Sequence, residues 1–309
     1  MLIAHLSDLH ICDKFKEENS EKTERIIERA VENGIDHLVI TGDISDNADP
    51  KDYNTLRNIL AKFNLLDASK TSIVIGNHDI FGGVRTALDV VNFPSRCRTT
   101  DYDEKVKQFV HHFSELFEQA YFPIKDKFFP YAKIISDTVF VGLNSIDRFS
   151  KLKNPFASNG KVGKEQKEGI KKIFENETYK NLQKIILIHH HFYKRGVEAT
   201  ASQNSLWNKI ESFTLNLRGK KKLISLFNEL EVNMVLHGHS HEVKEYFRKG
   251  LRFLNAGAVI DNADATLAKL ILIRTSPDQI YTWTENVTPK DQRIKELLEE
   301  PGLVSNLVG

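Results

Sequence analysis

Short apolar runs alternate with longer segments of helical periodicity along the first quarter of the chain. Apolar residues dominate 2–7, 36–43 and 71–79, and the segments between them, 21–34 and 51–66, repeat apolar residues at helical spacing. Strand–helix–strand alternation at this spacing predicts right-handed crossovers in a parallel sheet. Ligands bind such sheets at the carboxyl ends of the strands, so this edge is where function is expected.

The second half repeats the alternation less regularly. We predict a hairpin at 132–145, strands at 183–191, 232–241, 249–257, 266–274 and 281–287, and helices at 221–231 and 290–300. The chain has no Pro/Gly/Ser-rich linker and no internal repeat. We therefore expect one domain over 1–309, with a C-terminal strand and helix extension from about 258.

Residues 81–131 do not fit the alternation. Phe109, Phe113, Phe117 and Tyr121 recur at a spacing of four, which predicts an aromatic helix face packed on the core. A long insertion after a strand's carboxyl end is also where a lid over a site would lie.

The composition gives no support for several classes of protein, although it does not exclude nucleic acid as a partner. Lysine and arginine total 43, aspartate and glutamate 42, for a formal net charge of +1, which gives no electrostatic reason to expect nucleic acid or an anionic membrane as partner. The densest basic run, Arg218–Lys222, is interpreted as a solvated helix start. No apolar run reaches the roughly 18 residues of a membrane span, and Met1–His10 does not resemble a signal peptide. With only two cysteines as well, we expect a cytoplasmic protein.

Polar residues of the types that bind metals stand where five apolar runs end. Residues two apart on an extended segment point to the same side, so each aspartate–histidine or histidine–histidine pair could bind one centre. Glycines at 42, 76 and 238 would let the backbone approach closely. The residues at the run ends are Asp8, His10, Asp43, Asn77, His78, His189–His191, His239 and His241.

The chemistry of these side chains narrows the metal. Carboxylates, an amide oxygen and imidazoles suit first-row ions such as Mn, Fe, Co or Zn. They are too many for one ion with an open position, and they suit two ions that share a bridging carboxylate. Two such ions, about 3.5–4 Å apart, can hold the attacking and leaving oxygens of an in-line phosphoryl displacement.

Taken in order, "DLH", "GD", "GNHD", "HHH" and "GHSH" resemble the motifs of the calcineurin-like metallophosphoesterases. The resemblance spans about residues 3 to 257. It implies a four-layer α/β/β/α sandwich of two mixed sheets flanked by helices, with a binuclear metal centre along one edge. It also implies a metal-dependent phosphoric ester hydrolase in which metal-bound hydroxide attacks phosphorus.

The resemblance assigns roles by position. Asp8, His10, Asp43 and His241 would hold one metal, and Asp43, Asn77, His189 and His239 the other. His78 would be catalytic and assist the leaving oxygen, with Asp46 to orient it; Asp46 could equally be an acid at a helix start. Where many relatives have His-His-Pro, this chain has "HHHFYK", so either His189 or His190 could be the ligand, and we prefer His189 because it directly follows the strand. His237 is expected to be a hydrogen-bonded histidine inside a strand.

The segment "GDISDNADPKDYNTLRNIL" resembles the cyclic-nucleotide (class III) phosphodiesterase branch. We therefore expect hydrolysis of phosphodiesters, cyclic nucleotides among them, or of phosphomonoesters. The alternatives are a nuclease of the same superfamily and a metal-binding scaffold without catalysis. Side chains that could contact a nucleotide are Arg85, Arg148, Lys194 and Arg195, with Phe81, Phe192 and Tyr193 for base stacking.

Overall fold

The computed structural model describes residues 1–12, 16–84, 87–193, 216–257, 268–276 and 279–288. The strands are β1 (Leu2–Leu6), β2 (His37–Ile40), β3 (Thr71–Ile73), β4 (Tyr131–Ile135), β5 (Thr138–Gly142), β6 (Gly160–Lys161), β7 (Gln183–Leu187), β8 (Leu217–Arg218), β9 (Met234–His237), β10 (Lys244–Arg248), β11 (Leu251–Asn255), β12 (Ala268–Thr275) and β13 (Ile280–Val287). The helices are α1 (Glu17–Glu32), α2 (Pro50–Lys62), α3 (His78–Phe81), α4 (Ala87–Thr99), α5 (Tyr102–His112), α6 (Ser114–Phe117), α7 (Lys164–Glu175), α8 (Glu177–Lys180) and α9 (Lys220–Glu229).

Two mixed sheets form the centre of the fold. The first has the order β13-β12-β1-β2-β3, with β1, β2 and β3 parallel and β12 antiparallel to β1. The second has the order β10-β11-β9-β7-β5-β4, with β5, β7, β9 and β11 parallel. Each sheet therefore contains the parallel strands whose carboxyl ends the sequence predicted as the ligand edge.

The apolar side chains of the second sheet separate into two cores by the two-residue period of a strand. On β7, Ile185 and Leu187 pack with residues of the first sheet, while Ile186 packs with α7 and α9. Helices α1 and α2 contribute Ile26 and Leu56 to the core of the first sheet. The layers are thus helices, sheet, sheet and helices, as the family resemblance implied.

The 81–131 segment forms α4, α5 and α6. Phe109 and Phe113 are completely buried and Phe117 nearly so, which confirms that this aromatic stripe packs on the core. The helix does not continue to Tyr121, however. That residue pairs with Ala132 as a β-bridge and stacks on Tyr179.

Strand β10 was not predicted from the sequence, because only a two-residue turn separates it from β11. Lys249 and Gly250 both have positive φ and join β10 to β11 as a two-residue hairpin. Residues 249–257 and 266–274 were expected as consecutive strands, and β11 and β12 confirm this, although they belong to different sheets. The predicted helix at 290–300 lies outside the described residues.

Among the described residues, no helix is both long enough and apolar enough to cross a membrane.

The aromatic stripe of the insertion gives a stability prediction. Phe113→Ala should lower the free energy of unfolding by about 3–5 kcal/mol, because it removes a fully buried ring that packs on Tyr53 and Phe109. Leu88→Ala in α4, where the side chain is 69% exposed, should change it by no more than about 0.5 kcal/mol. Urea unfolding measures both. Equal, small losses would mean that the insertion does not contribute to the core.

Candidate metal centre

The carboxyl ends of β1, β2 and β3 in one sheet and of β7 and β9 in the other lie at a common edge. The polar residues that follow these strands are therefore brought together from across the whole chain. Asp8, His10, Asp43, Asn77, His189 and His239 are buried there, and His241 is exposed. Together with Asp46 and His78, these side chains form three groups whose ligand atoms are close enough to hold a metal ion, and two of the groups share His10.

The first group consists of Asp43, Asn77, His189 and His239, and His189 lies at its centre. Its Nε2 is 3.1 Å from Asn77 Oδ1, 3.0 Å from His239 Nδ1 and 3.3 Å from Asp43 Oδ2. Its Nδ1 is 2.8 Å from the carbonyl oxygen of Thr41, which can only accept a hydrogen bond. The neutral ring is therefore protonated at Nδ1 and presents a lone pair at Nε2, the arrangement that a metal-binding histidine needs.

His190 points elsewhere. Its Nδ1 is 2.8 Å from Ser145 Oγ and its Nε2 is 3.1 Å from the carbonyl oxygen of Ser158. Both ring nitrogens have partners away from the first group, so of the two histidines only His189 presents a free lone pair there.

The second group consists of Asp8, His10 and His241. His241 Nε2 lies 3.2 Å from His10 Nε2 and 3.6 Å from Asp8 Oδ1. The backbone N–H of His239 donates to Asp8 Oδ2 at 2.9 Å, so the carboxylate of one sheet is fixed by the backbone of the other.

Asp46 lies between two histidines. Its Oδ1 is 3.4 Å from His10 Nδ1 and 3.8 Å from His78 Nδ1. The interpretation of Asp46 as a helix-start acid is wrong, because α2 begins at Pro50 with Asp49 as its N-cap. The closer partner of His78 Nδ1 is the carbonyl oxygen of Asp46, at 3.2 Å, so the main chain holds this ring more directly than the carboxylate does.

Five residues of the site have positive φ. They are Asp8, His10, Asp43, His239 and His241, with φ between 43° and 73°. This corrects the sequence argument, which placed the two members of each pair on one side of an extended strand. The strands end before these residues, and left-handed turns aim the side chains instead. Such conformations cost about 1–3 kcal/mol each and persist only where the surroundings hold them.

Glycines make the close approach of the loops possible. A Cβ on Gly42 would lie 2.8 Å from His189 Nδ1, and one on Gly76 would overlap the backbone nitrogen of Asp43. A Cβ on Gly238 would overlap Ser7 Oγ and Asp8 Oδ2. These contacts confirm the reason given for glycine at all three positions.

Asp79 is a supporting residue that the sequence argument missed. Its carboxylate accepts the backbone N–H groups of Ile44, Ser45 and Gly76 and so ties the loop after β2 to the loop after β3. Burial raises its pKa to about 7, and the nearby Asp43 carboxylate acts in the same direction. The sequence feature that could have identified Asp79 is its place at the end of "GNHD", next to the candidate ligands.

The histidine inside β9 behaves as expected. His237 is buried and its Nε2 is 2.7 Å from the hydroxyl of Tyr246.

Two candidates for base stacking are excluded, because Phe81 and Phe192 are buried in the cores. Tyr193 hydrogen-bonds to Glu242, and Arg148 lies over the ring of Tyr102.

Arg85, Lys194 and Arg195 lie outside the described residues.

The donor set fits a cation. In its neutral form, His189 would direct its Nε2 lone pair at two oxygens that are themselves acceptors, Asn77 Oδ1 and Asp43 Oδ2. Burial alone would lower the pKa of His189, but the Asp43 carboxylate raises it to about 9, so this position attracts positive charge. His239 Nε2 is buried and has no hydrogen-bond partner among the described residues. Imidazoles, carboxylates and an amide oxygen around one point suit a first-row metal ion.

Comparison with known proteins gives a family match and similar folds. A family model described as calcineurin-like phosphoesterase matches residues 1–243. A dimetal phosphatase from Danio rerio has a similar structure, with a TM-score of 0.60 at 11% identity over 93% of this chain and 98% of that one. The purple acid phosphatase PPD1 of yellow lupin (Lupinus luteus) gives a TM-score of 0.49 at 15% identity, over 92% of this chain and 53% of that one. No curated protein matches the sequence.

The contact at Gly238 gives a prediction for the centre. Gly238→Ala should weaken metal affinity about ten-fold or more, because the new methyl group displaces Asp8 and Ser7. Gly163→Ala is the matched control, since its Cβ would meet nothing within 4 Å and its φ of −66° suits alanine. Manganese titration of both variants measures the difference. Unchanged affinity in Gly238→Ala would show that Asp8 is not required for binding.

Proposed function

The chain belongs to the calcineurin-like phosphoesterase family, and from this premise we propose that it is a dimetal-dependent hydrolase of phosphodiester or phosphomonoester bonds. Cyclic nucleotides are among the substrates we propose, on the resemblance of residues 42–60 to that branch. The observation that carries the proposal is the convergence of seven metal-ligand side chains and His78 at one edge shared by both sheets. We also propose that the protein acts in the cytoplasm, for which the composition is the only support.

The proposed ligand sets follow the two groups at this edge. Asp8, His10 and His241 would hold one ion, and Asn77, His189 and His239 the other. Asp43 would bridge them, and its two oxygens already face different partners. Oδ1 accepts the backbone N–H of His78 at 2.8 Å, while Oδ2 faces His189. The ions we propose are Mn, Fe, Zn or Co, which supply Lewis acidity and activate a water molecule as nucleophile.

His78 is the proposed proton donor to the leaving oxygen. The side chain of His78 is 26% exposed, whereas that of His189, a proposed ligand, is fully buried. His78 therefore lies where the centre opens to solvent. Its Nδ1 is held by the Asp46 carbonyl oxygen, which leaves Nε2 to face a substrate. Gly83 leaves the room for this ring, because a Cβ there would lie 2.8 Å from His78 Cε1.

Electrostatics favour an anionic substrate. Asp8 and Asp43 are the two carboxylates of the proposed ligand sets, and two divalent ions would more than neutralise them. The centre would therefore carry net positive charge, which attracts a phosphate ester.

We prefer an enzyme to a metal-binding scaffold. The resemblance assigns a residue of suitable type to each ligand position, and Thr41 would set the tautomer of a neutral His189. A scaffold without catalysis would not need His78 oriented at the open side of the centre.

The function is tested by turnover of the purified protein. With manganese bound, bis-p-nitrophenyl phosphate, p-nitrophenyl phosphate and cyclic AMP should include at least one substrate, and activity should vanish with a chelator and return with metal. Asp43→Ala should lose at least one metal ion and the activity, since it removes the proposed bridge. Two bound ions with no turnover of any of these esters would contradict the substrate classes proposed, and full metal content in Asp43→Ala would contradict the bridge.

The role of His78 predicts a split by leaving group. His78→Ala should keep both metal ions and lose about 10²–10⁴-fold in kcat on esters with poor leaving groups, because those need a proton. The loss on p-nitrophenyl esters should be much smaller. Asp46→Asn should cost less than His78→Ala, since the carbonyl oxygen that holds the ring remains. Equal losses on good and poor leaving groups would rule out proton donation by His78.

A further inference from the structure

Two adjoining cavities lie beside α7 and α9, and none of the candidate metal ligands is among the residues that line them. One, of about 360 Å³, lies at the amino-terminal ends of α7 and α9, and the other, of about 440 Å³, lies between these two helices. Lys167 lines both, so the two cavities form one continuous depression, which we term the basic groove.

The charge of the basic groove differs from that of the rest of the molecule. Nine lysine and arginine side chains and three carboxylates line it, a formal excess of six positive charges. Because the whole chain carries a net charge of +1, the remainder of the chain carries −5. Such a separation of charge steers an anionic partner to one face of the protein.

The first cavity is built by the short parallel pair β6 and β8. These strands deliver Lys161 and Arg218 side by side, and α7 and α9 begin directly after them. Arg218 pairs with Asp147. Lys153, Lys161 and Lys167 also line the cavity, and none of the three has a carboxylate within ion-pair distance among the residues whose structure is described.

The second cavity is lined by the first turn of α9, where the side-chain charges are unfavourable for a helix N-terminus. Helix α9 has Lys220, Lys221 and Lys222 in its first turn, no acidic residue there, and no side-chain cap at Gly219. The partial positive charge of a helix N-terminus favours acids, so three lysines oppose it. Lys221 and Lys222 line the cavity opposite Lys171 of α7, and Lys249 closes one end. An anion bound in the groove would relieve this repulsion.

We propose that the basic groove binds a single strand of nucleic acid through its phosphate groups. Each cavity is lined by five cations, with Lys167 common to both, so the positive charge extends over two adjoining cavities rather than around one point. This suits a ligand with phosphates in series more than a single small anion. Helix α7 has 12 residues, and a helix of that length is about 18 Å long. The groove is concave between two helices, which a strand can enter and a flat bilayer surface cannot.

The net charge alone gave no reason to expect nucleic acid, because the cations of the groove are offset by acids elsewhere in the chain. Lys220–Lys222 begin α9, as interpreted from the sequence, whereas Arg218 lies in β8. The fold sets Lys221 and Lys222 beside the lysines of α7. The proposal rests on the groove and needs neither bound metal nor hydrolysis.

Fluorescence anisotropy on metal-free protein tests the proposal separately from the metal centre. The probe is a fluorescein-labelled oligothymidylate of about twelve nucleotides, in EDTA, at salt concentrations from about 50 to 200 mM. The groove variant combines Lys167→Gln, Lys171→Gln and Lys222→Gln. The control variant combines Lys51→Gln, Lys62→Gln and Lys70→Gln, which removes the same charge on the side of the first sheet, in and after α2.

The wild type and the control variant should bind the probe alike, and their affinity should fall steeply with salt. The groove variant should bind at least about ten-fold more weakly, and its slope of log affinity against log salt should be shallower by about 2, since each phosphate contact contributes about 0.7. Lys222→Gln alone should make this slope shallower by about 0.7. Because Lys222 is exposed, the single variant also serves as a control for misfolding of the triple variant.

Two outcomes would overturn the proposal. One is equal affinity of the wild type and the groove variant for the oligonucleotide. The other is no binding of the oligonucleotide together with groove-dependent binding to phosphatidylserine vesicles, which would make the partner a membrane surface.

Discussion

Buried negative charge is the constraint on which this structure depends. Asp8 and Asp43 have at most 1% exposure, and an ionised carboxylate in such a position costs several kcal/mol unless cations or hydrogen bonds compensate it. The compensation comes from both sheets. The backbone N–H of His239 donates to Asp8, and the backbone N–H of His78 and the imidazole of His189 face Asp43. The sheets can therefore pack only in the register that brings these groups together.

The loops at this edge are held in conformations that they would not adopt alone. Left-handed backbone at five ligand positions and glycines without room for a Cβ both require support. Asp79 supplies part of it by binding three backbone N–H groups from two loops. The rest comes from the two hydrophobic cores, which fix the strands that lead into the loops. Protein contacts thus position the candidate ligand side chains at this edge.

The sequence predicted the part of the site that depends on local order and missed the parts that depend on distant contacts. Polar residues at the ends of apolar strands identified Asp43 and His189 as candidates, because parallel strands end at one edge. Neither the carboxylate of Asp79 nor the choice between His189 and His190 could be settled in this way, since each depends on partners far along the chain. Strand β10 was hidden by a two-residue turn at Lys249. The grouping of Lys167 with Lys222 is likewise invisible in composition, because only the packing of α7 beside α9 creates it.

The position of β12 has a consequence for how the protein is made. β12 (residues 268–275) pairs with β1 over Leu2 to His5, although most of the chain lies between the two strands. During synthesis β1, which leads to Asp8 and His10, is therefore made long before β12, one of its two neighbours. Until then its edge is open to pairing with other chains, as long-range sheet contacts form slowly and expose aggregation-prone edges. Chaperones that cover nascent β-strands are therefore expected to engage this protein at β1, before β12 is available to complete the sheet.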